Sequence, residues 1–302
     1  MFSWDEFDRF RKVPVNVKEV APELENEIGK PYVDVKDPYG CCSSYAEHFE
    51  KEFEASLSRF GVEVDFRRQS ENYRSGKYAK YIIQAVQKRK EIFDILDKFR
   101  QQVATPEERE AYYPVSIYCP VCGKDETTIT SSSEDGVTCE YTCKCGHKGT
   151  WDFSKDFNCK LAWKIDWPMR WMIEGVDFEP GGKDHASPGG SYDTSKIIAK
   201  KIFGAQAPMF KGYEFVGIKG TTGKMSGSTG LNLTPDTLLK IYQPEMILWL
   251  YSKSEPNKAF DFSFDDEILR QYFEFDKMLK VYQAGKGKNY DYIEGIMHNC
   301  MI

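Results

Sequence analysis

Apolar residues recur at helical spacing in several stretches of this chain and alternate in others. Over 43–60, Ala46, Phe49, Phe53, Leu57 and Phe60 fall on one stripe. Ser44 and Glu47 have capping-box spacing at its start, and Gly61 supplies a stop. Val62, Val64 and Phe66 then alternate as a strand does. A longer helix is predicted over 76–103, with Ile82, Ala85, Val86, Ile92, Phe93, Leu96 and Phe99 as its apolar set. Thr105-Pro106 followed by Glu108 starts another short helix. Residues 115–153 change character, becoming short, cysteine-dense and rich in Thr, Ser and Gly, which predicts a small β insertion. A helix over 163–174, a strand over 175–178, a glycine-rich turn at 180–184, a helix over 194–203 and a strand over 213–218 follow. The tail is mostly helical, notably over 234–251 and 265–282. The opening residues 2–4 read as the end of a strand that runs into the charged segment 5–12. This alternation predicts an α/β fold with a parallel, doubly wound sheet, whose ligands sit beyond the carboxyl ends of the strands.

Composition narrows the picture. With 302 residues, 41% hydrophobic and 15% aromatic, the chain can bury a sizeable core as one large domain with an insertion, or as two domains. A net charge of −6 excludes a surface that is a nucleic-acid clamp throughout. Between Arg67 and Arg100, however, ten Lys/Arg stand against four acids. The plain reading of that stretch is a solvated helix face. Residues 1–14 hold no apolar signal-peptide core, and the longest apolar run, 246–251, is too short to span a bilayer. A soluble cytoplasmic protein is expected, its nine cysteines thiols or metal ligands rather than disulfides.

Cys119-Pro-Val-Cys122-Gly and Cys143-Lys-Cys145-Gly have the spacing of paired hairpin corners. Four thiolates so arranged can surround zinc, in a closed structural site. His147 could replace Cys145 as the fourth ligand. A second constellation is Asp37, Cys41, Cys42 and His48, across an Asp-Pro-Tyr-Gly turn and a helix start. From spacing alone Asp37 is better read as a turn residue and His48 as a helix residue.

The stretch Gly220-Thr-Thr-Gly-Lys224-Met225-Ser226-Gly227-Ser228 follows a predicted strand and resembles the KMSKS loop of class I aminoacyl-tRNA synthetases. Such a loop brings an ammonium, hydroxyls and backbone N–H groups to polyphosphate as charge builds on the leaving group. Its neighbours sharpen the resemblance. WDEFDRFRKVP (4–14), DPYGCCSSYAEHF (37–49), WKIDWPMRW (163–171), GVDFEPGGKDH (175–185), GGSYDT (189–194) and YEFVGIKG (213–220) are all similar, in the same order, to archaeal-type class I lysyl-tRNA synthetases. The resemblance covers residues 3–285, and Gly227 stands where the wider class has lysine.

The resemblance implies a lysine–tRNA ligase that uses ATP with Mg2+, L-lysine and the acceptor end of tRNA(Lys). Lys224, Ser226 and Ser228 match the catalytic loop on the ATP phosphates. Gly182 and Asp184 match the adenosine-binding turn. Trp163, His185 and Tyr213 match the lysine pocket, and Asp5 matches an acid near the substrate amino group. Without the resemblance, Trp163 and Tyr213 read as core aromatics and His185 as a turn residue. Relatives also imply a zinc site at Asp37, Cys41, Cys42 and His48, with Cys42 here replacing a histidine.

The four histidines, 48, 147, 185 and 298, lie in no H-x-G-H or H-x-G-N context. The family's HIGH-type segment is expected to precede Met1, and its anticodon-binding domain to follow the chain. The expected fold is an incomplete Rossmann-type catalytic domain with an inserted zinc ribbon and a helical stem region. Its segments would be 1–112, 113–158, 159–230 and 231–302. Such a core is expected to be inactive alone, a separate chain supplying the missing segment being the further partner it allows. The competing expectation is a non-catalytic, synthetase-like module that binds tRNA or a protein.

Overall fold

The computed structural model describes residues 1–220 and 233–302. They fall into two compact units. The first comprises Met1–Val13, Lys18–Ala46 and Asp65–Gly212; the second comprises Pro14–Val17, Glu47–Val64 and Tyr213–Ile302.

In the first unit, β1 (Phe2–Trp4) runs parallel to β2 (Phe66–Arg68), with Phe2 opposite Phe66. Both strands are short for local reasons. Trp4 leads into a turn closed by the Asp8 N–H on the Asp5 carbonyl, and Arg68 caps the helix Gln69–Arg74. Next come β3 (Val115–Ile117), β4 (Thr127–Ser132), β5 (Thr138–Cys143), β6 (Lys148–Asp152) and β7 (Cys159–Leu161). Strands β4, β5 and β6 form an antiparallel ribbon, and β3 pairs antiparallel with β7 at its base. Finally β8 (Phe178–Gly182) pairs with β9 (Met209–Tyr213). The core gathers Phe7, Tyr73, Tyr78, Ile82, Ile92, Ile117, Ile165 and Met169.

The helix Trp163–Glu174 holds Pro168 in its interior, where proline cannot donate to the carbonyl four residues back. That orphan belongs to Lys164, and the Ser195 hydroxyl donates to it at 3.1 Å. The helix ends at Gly175, which takes the left-handed conformation (φ 64°) that a side chain would penalise.

In the second unit, β10 (Val216–Ile218) runs parallel to β11 (Phe260–Phe262). Phe262 is buried with Tyr242, from the bend before Pro244, and with Met246, Trp249, Phe275 and Met297 from the surrounding helices.

Several expectations are revised. The helix over 76–103 is two helices, Ala79–Gln87 and Arg89–Asp97. Arg89 takes the stripe position at the break and donates to the Glu110 and Tyr112 carbonyls. The helix over 234–251 splits into Pro235–Leu239 and Pro244–Ser252, because Pro244 cannot continue the ladder. Val62 and Val64 lie outside any strand. The glycine-rich turn is itself the end of β8, followed by the helical turn Lys183–Ala186. Among the described residues the strands form five small sheets rather than one continuous parallel sheet. The basic stretch is largely neutralised. Arg67, Arg74, Lys77, Arg89, Lys90 and Arg100 each reach a carboxylate, which favours the solvated-face reading over an anion-binding patch. No helix is long and apolar enough to cross a membrane among the described residues.

Candidate functional site

The helix Trp163–Glu174 presents Trp163, Trp167 and Trp171 at successive turns of one face. Trp163 and Trp167 stack with centroids 5.0 Å apart, and Trp167 lies 4.7 Å from Trp171. Tyr192 and Phe210, stacked at 4.2 Å, extend the slab. A Cβ on Gly181 would come within 2.6 Å of the Phe210 ring, so this ring lies against β8 only because position 181 has no side chain. His185 sits 6.0 Å from Trp163 and 5.6 Å from Trp167, ring to ring. The indole N–H of Trp163 is shielded from solvent and has no acceptor among the described residues. A buried donor left this way costs about 1–3 kcal/mol, which a ligand acceptor would relieve.

The same helix carries Asp166 and Arg170, both inside the protein. Asp166 is wholly buried and accepts the Tyr73 hydroxyl and, at 2.8 Å, the Lys160 ammonium. Lys160 also reaches Asp8 at 3.1 Å. Arg170 Nε is 3.1 Å from Asp166 Oδ2 but is not aligned as a donor, so that contact is Coulombic. The other end of the guanidinium donates to Asp5 at 2.8 Å and Ser3 at 3.0 Å, and its centre lies 5.2 Å from the Trp163 ring centroid. Asp5, Asp8 and Asp166 against Lys160 and Arg170 leave one excess negative charge. Burial raises the Asp166 carboxyl, but Arg170 and Lys160 outweigh it and hold the group below its ordinary range. At Asp5 burial prevails over Arg170 and the carboxyl is pushed up, although its edge still meets solvent. Glu179, on β8, accepts the Trp171 indole N–H at 3.0 Å and is likewise pushed up by burial.

The structure thus gathers Asp5, Trp163 and His185 in the first unit. Gly182 closes β8, and Asp184 is exposed on the turn that carries His185. Tyr213 ends β9 and lines a cavity of about 540 Å³ in the second unit, together with Phe215, Tyr251, Lys258 and Phe260. Lys224, Ser226 and Ser228 lie outside the described residues. Motif reading missed Tyr73, Lys160, Asp166, Arg170 and Glu179. The available signal was an Asp and an Arg four apart inside a tryptophan-rich helix, where unpaired charges are costly.

Two clusters could hold metal ions. The side-chain ligand atoms of Cys119, Cys122, Cys143 and Cys145 all lie within 4.8 Å of one another. Cys119 Sγ is 3.8 Å from Cys145 Sγ, and Cys122 Sγ is 3.7 Å from Cys143 Sγ. His147 packs instead near Tyr141, at 5.9 Å ring to ring, and its backbone N–H holds the Cys145 thiol below its usual range. The second cluster is Asp37, Cys41, Cys42 and His48, again within 4.8 Å. Asp37 accepts the backbone N–H groups of Tyr39 at 3.0 Å and of Cys41 and Cys42 at 2.7 Å. The turn and the ligand cluster are therefore one structure, with His48 on the helix Tyr45–Ser58.

A family model for tRNA synthetases class I (K) matches residues 1–301. This chain belongs to that family. Within it, the chain is 43% identical over 287 residues to a lysine–tRNA ligase of Pyrococcus horikoshii, covering 94% of this chain and 54% of that protein. It is 46% identical over 279 residues to one from Thermococcus kodakarensis, covering 92% and 52%. A lysine–tRNA ligase of Treponema pallidum is 40% identical over 280 residues, covering 92% and 52%. This class I (K) synthetase chain spans about half the length of the curated relatives it matches.

Proposed function

We propose that this chain is the lysine-activating core of a lysine–tRNA ligase. The observation that carries the reading is the cluster of Asp5, Trp163 and His185 around an aromatic slab in a member of this family. Trp163, its ring already stacked on Trp167 and covered by Arg170, offers the ring edge to the aliphatic stem of L-lysine, the carboxylate excess balances the ammonium, and His185 closes the pocket. The family resemblance adds Tyr213 to the residues proposed to take lysine. Gly182 lets backbone pack on adenosine and Asp184 holds the ribose hydroxyls of ATP, while Lys224, Ser226 and Ser228 meet the phosphates.

In the first step the lysine carboxylate attacks the α-phosphate of Mg2+-bound ATP, forming lysyl-adenylate and releasing pyrophosphate. The 2′-hydroxyl of the terminal adenosine of tRNA(Lys) then attacks the lysyl carbonyl, forming the ester as the mixed-anhydride bond breaks and AMP leaves, the hydroxyl proton being released. Positioning and charge stabilisation, not a protein nucleophile, drive both steps. None of the four histidines lies in an H-x-G-H or H-x-G-N context, so we propose that none acts as a HIGH-type donor. Adenylate formation by these 302 residues is therefore proposed to fall about a hundredfold to a thousandfold or more below that of a site with such donors.

Structural zinc fits both clusters. Zinc–sulfur bonds of about 2.3 Å place tetrahedral sulfurs roughly 3.8 Å apart, which matches the 3.8 and 3.7 Å separations in the ribbon. Cys119, Cys122, Cys143 and Cys145 would hold one ion, pinning the hairpin corners. Asp37, Cys41, Cys42 and His48 would hold the second.

Isothermal titration of the purified chain with lysine tests the reading. Saturable binding that is lost in Trp163→Ala and His185→Ala, with ornithine a weaker ligand, is the expected result. A chain that binds tRNA but ignores lysine would overturn it in favour of a non-catalytic module.

A further inference from the structure

A pocket for a cation that contains a buried arginine needs explaining. Arg170 has a side chain only 7% exposed, and each part of its guanidinium has a distinct neighbour. The Nε side faces Asp166 at 3.1 Å, the Nη1 atom donates to Asp5 and Ser3, and the central carbon packs against the Trp163 ring. Trp163, Asp166 and Arg170 occur at i, i+3 and i+7 of one helix, so their relative positions are fixed by the helix itself. Asp166 is in turn held by Tyr73 and Lys160. A planar fork holds its donors in a fixed spread, so it can brace partners on two edges while lying against a ring, a geometry that a point-like ammonium does not impose.

We propose that Arg170 is the positioning residue of the amino-acid pocket, its guanidinium anchored on Asp166 so that it fixes the Asp5 carboxylate and backs the Trp163 ring. The inference rests on the reading of function given above and adds how that pocket is kept in register. Arg170 does not repel the substrate ammonium, because Asp166 balances its charge and Asp5 remains as the acid facing the ligand. Without the guanidinium, the three acids would be left with Lys160 alone. Asp5 would then hold its proton to a higher pH and lose its fixed edge.

The charged groups acting on Asp5 are Arg170 and Asp166 from the tryptophan helix, Lys160 from β7 and Asp8 from the turn after β1. Glu179 of β8 senses the same centre.

The test compares lysine binding by the wild-type chain, Arg170→Gln and Arg170→Lys across pH. Near-ultraviolet circular dichroism of the tryptophan stack reports that each variant is folded. At neutral pH, Arg170→Gln should bind lysine about tenfold or more weakly, the worth of a charge-assisted hydrogen bond. The acid limb of its binding curve should move to higher pH. Arg170→Lys should return that limb toward the wild-type position while recovering only part of the affinity. The inference is overturned if Arg170→Gln binds lysine within about twofold of wild type with an unshifted limb. It is equally overturned if both variants weaken alike with no change in pH profile, the signature of a merely structural part. A folded wild-type chain that binds no lysine would instead bring down the reading of function, and this inference with it.

Discussion

Replacing Asp166 by asparagine tests the energetics of the buried charge cluster directly. Asp166 is wholly buried, with Lys160 at 2.8 Å, Arg170 at 3.1 Å and the Tyr73 hydroxyl donating to it. Removing one partner of a buried ion pair costs about 3–5 kcal/mol, because the other charge is left uncompensated. Two features place this site at the lower end. Lys160 keeps Asp8 at 3.1 Å, and Arg170 keeps Asp5 at 2.8 Å. The amide oxygen of asparagine can still accept from Tyr73. The expected loss is thus about 3 kcal/mol. Asp5→Asn should cost only about 1 kcal/mol or less, since its side chain is 41% exposed and water replaces the lost contact. Urea unfolding followed by tryptophan fluorescence measures both. Of the six tryptophans only Trp249 lies in the second unit, so the signal reports mainly on the first. The pH dependence has a definite sign. The folded-state carboxyl of Asp166 is depressed, so its contribution is present above about pH 4 and is lost as pH falls through the lower folded value. The gap between wild type and Asp166→Asn should therefore close on acidification. Equal costs for the two variants, or a loss below about 1 kcal/mol at Asp166, would refute the argument that burial sets the scale.

Metal analysis of the purified chain should find two zinc ions, and Cys119→Ser should lose one of them; unchanged content would rule out the ribbon site. Gly181→Ala would drive a methyl to within 2.6 Å of the Phe210 ring, costing about 1–3 kcal/mol in the same urea assay and weakening lysine binding. An unaltered midpoint would show that the slab is not packed as described. Glu6 is 5% exposed, and burial pushes its carboxyl up despite the Ser70 N–H at 2.7 Å. Because this folded-state value is raised, stability gains as pH falls from neutral toward the ordinary carboxylate range. Glu6→Gln should flatten that slope, and identical pH profiles would count against the assignment.

Residues close in sequence announced much of the site. Cys119 and Cys122, with Cys143 and Cys145, were legible because hairpin corners fix thiol spacing within a few residues, and the structure brings the four sulfurs together. Asp37, Cys41, Cys42 and His48 also come together, although spacing alone favoured a simple turn. The helix start at Thr105-Pro106 with Glu108 was a purely local reading; that helix forms, and its cap is a Thr105–Glu108 capping box. Where reading along the chain failed, a local pattern was overruled or interrupted. Arg89 occupies a core-facing stripe position, and the predicted helix divides there.

The sequence by itself determined roughly where the longer helices lie, which face of each is apolar and where thiols cluster, because periodicity and spacing act over a few turns of chain; its ordered motifs carried the family resemblance. Only the tertiary structure decided that Asp5 meets Arg170 across 165 residues, and that Tyr73, from a separate helix, completes the charge pairing of Asp166. A buried charge is tolerable only when distant parts of the chain bring its partners, and that matching of long-range neighbours leaves no periodic mark in the sequence.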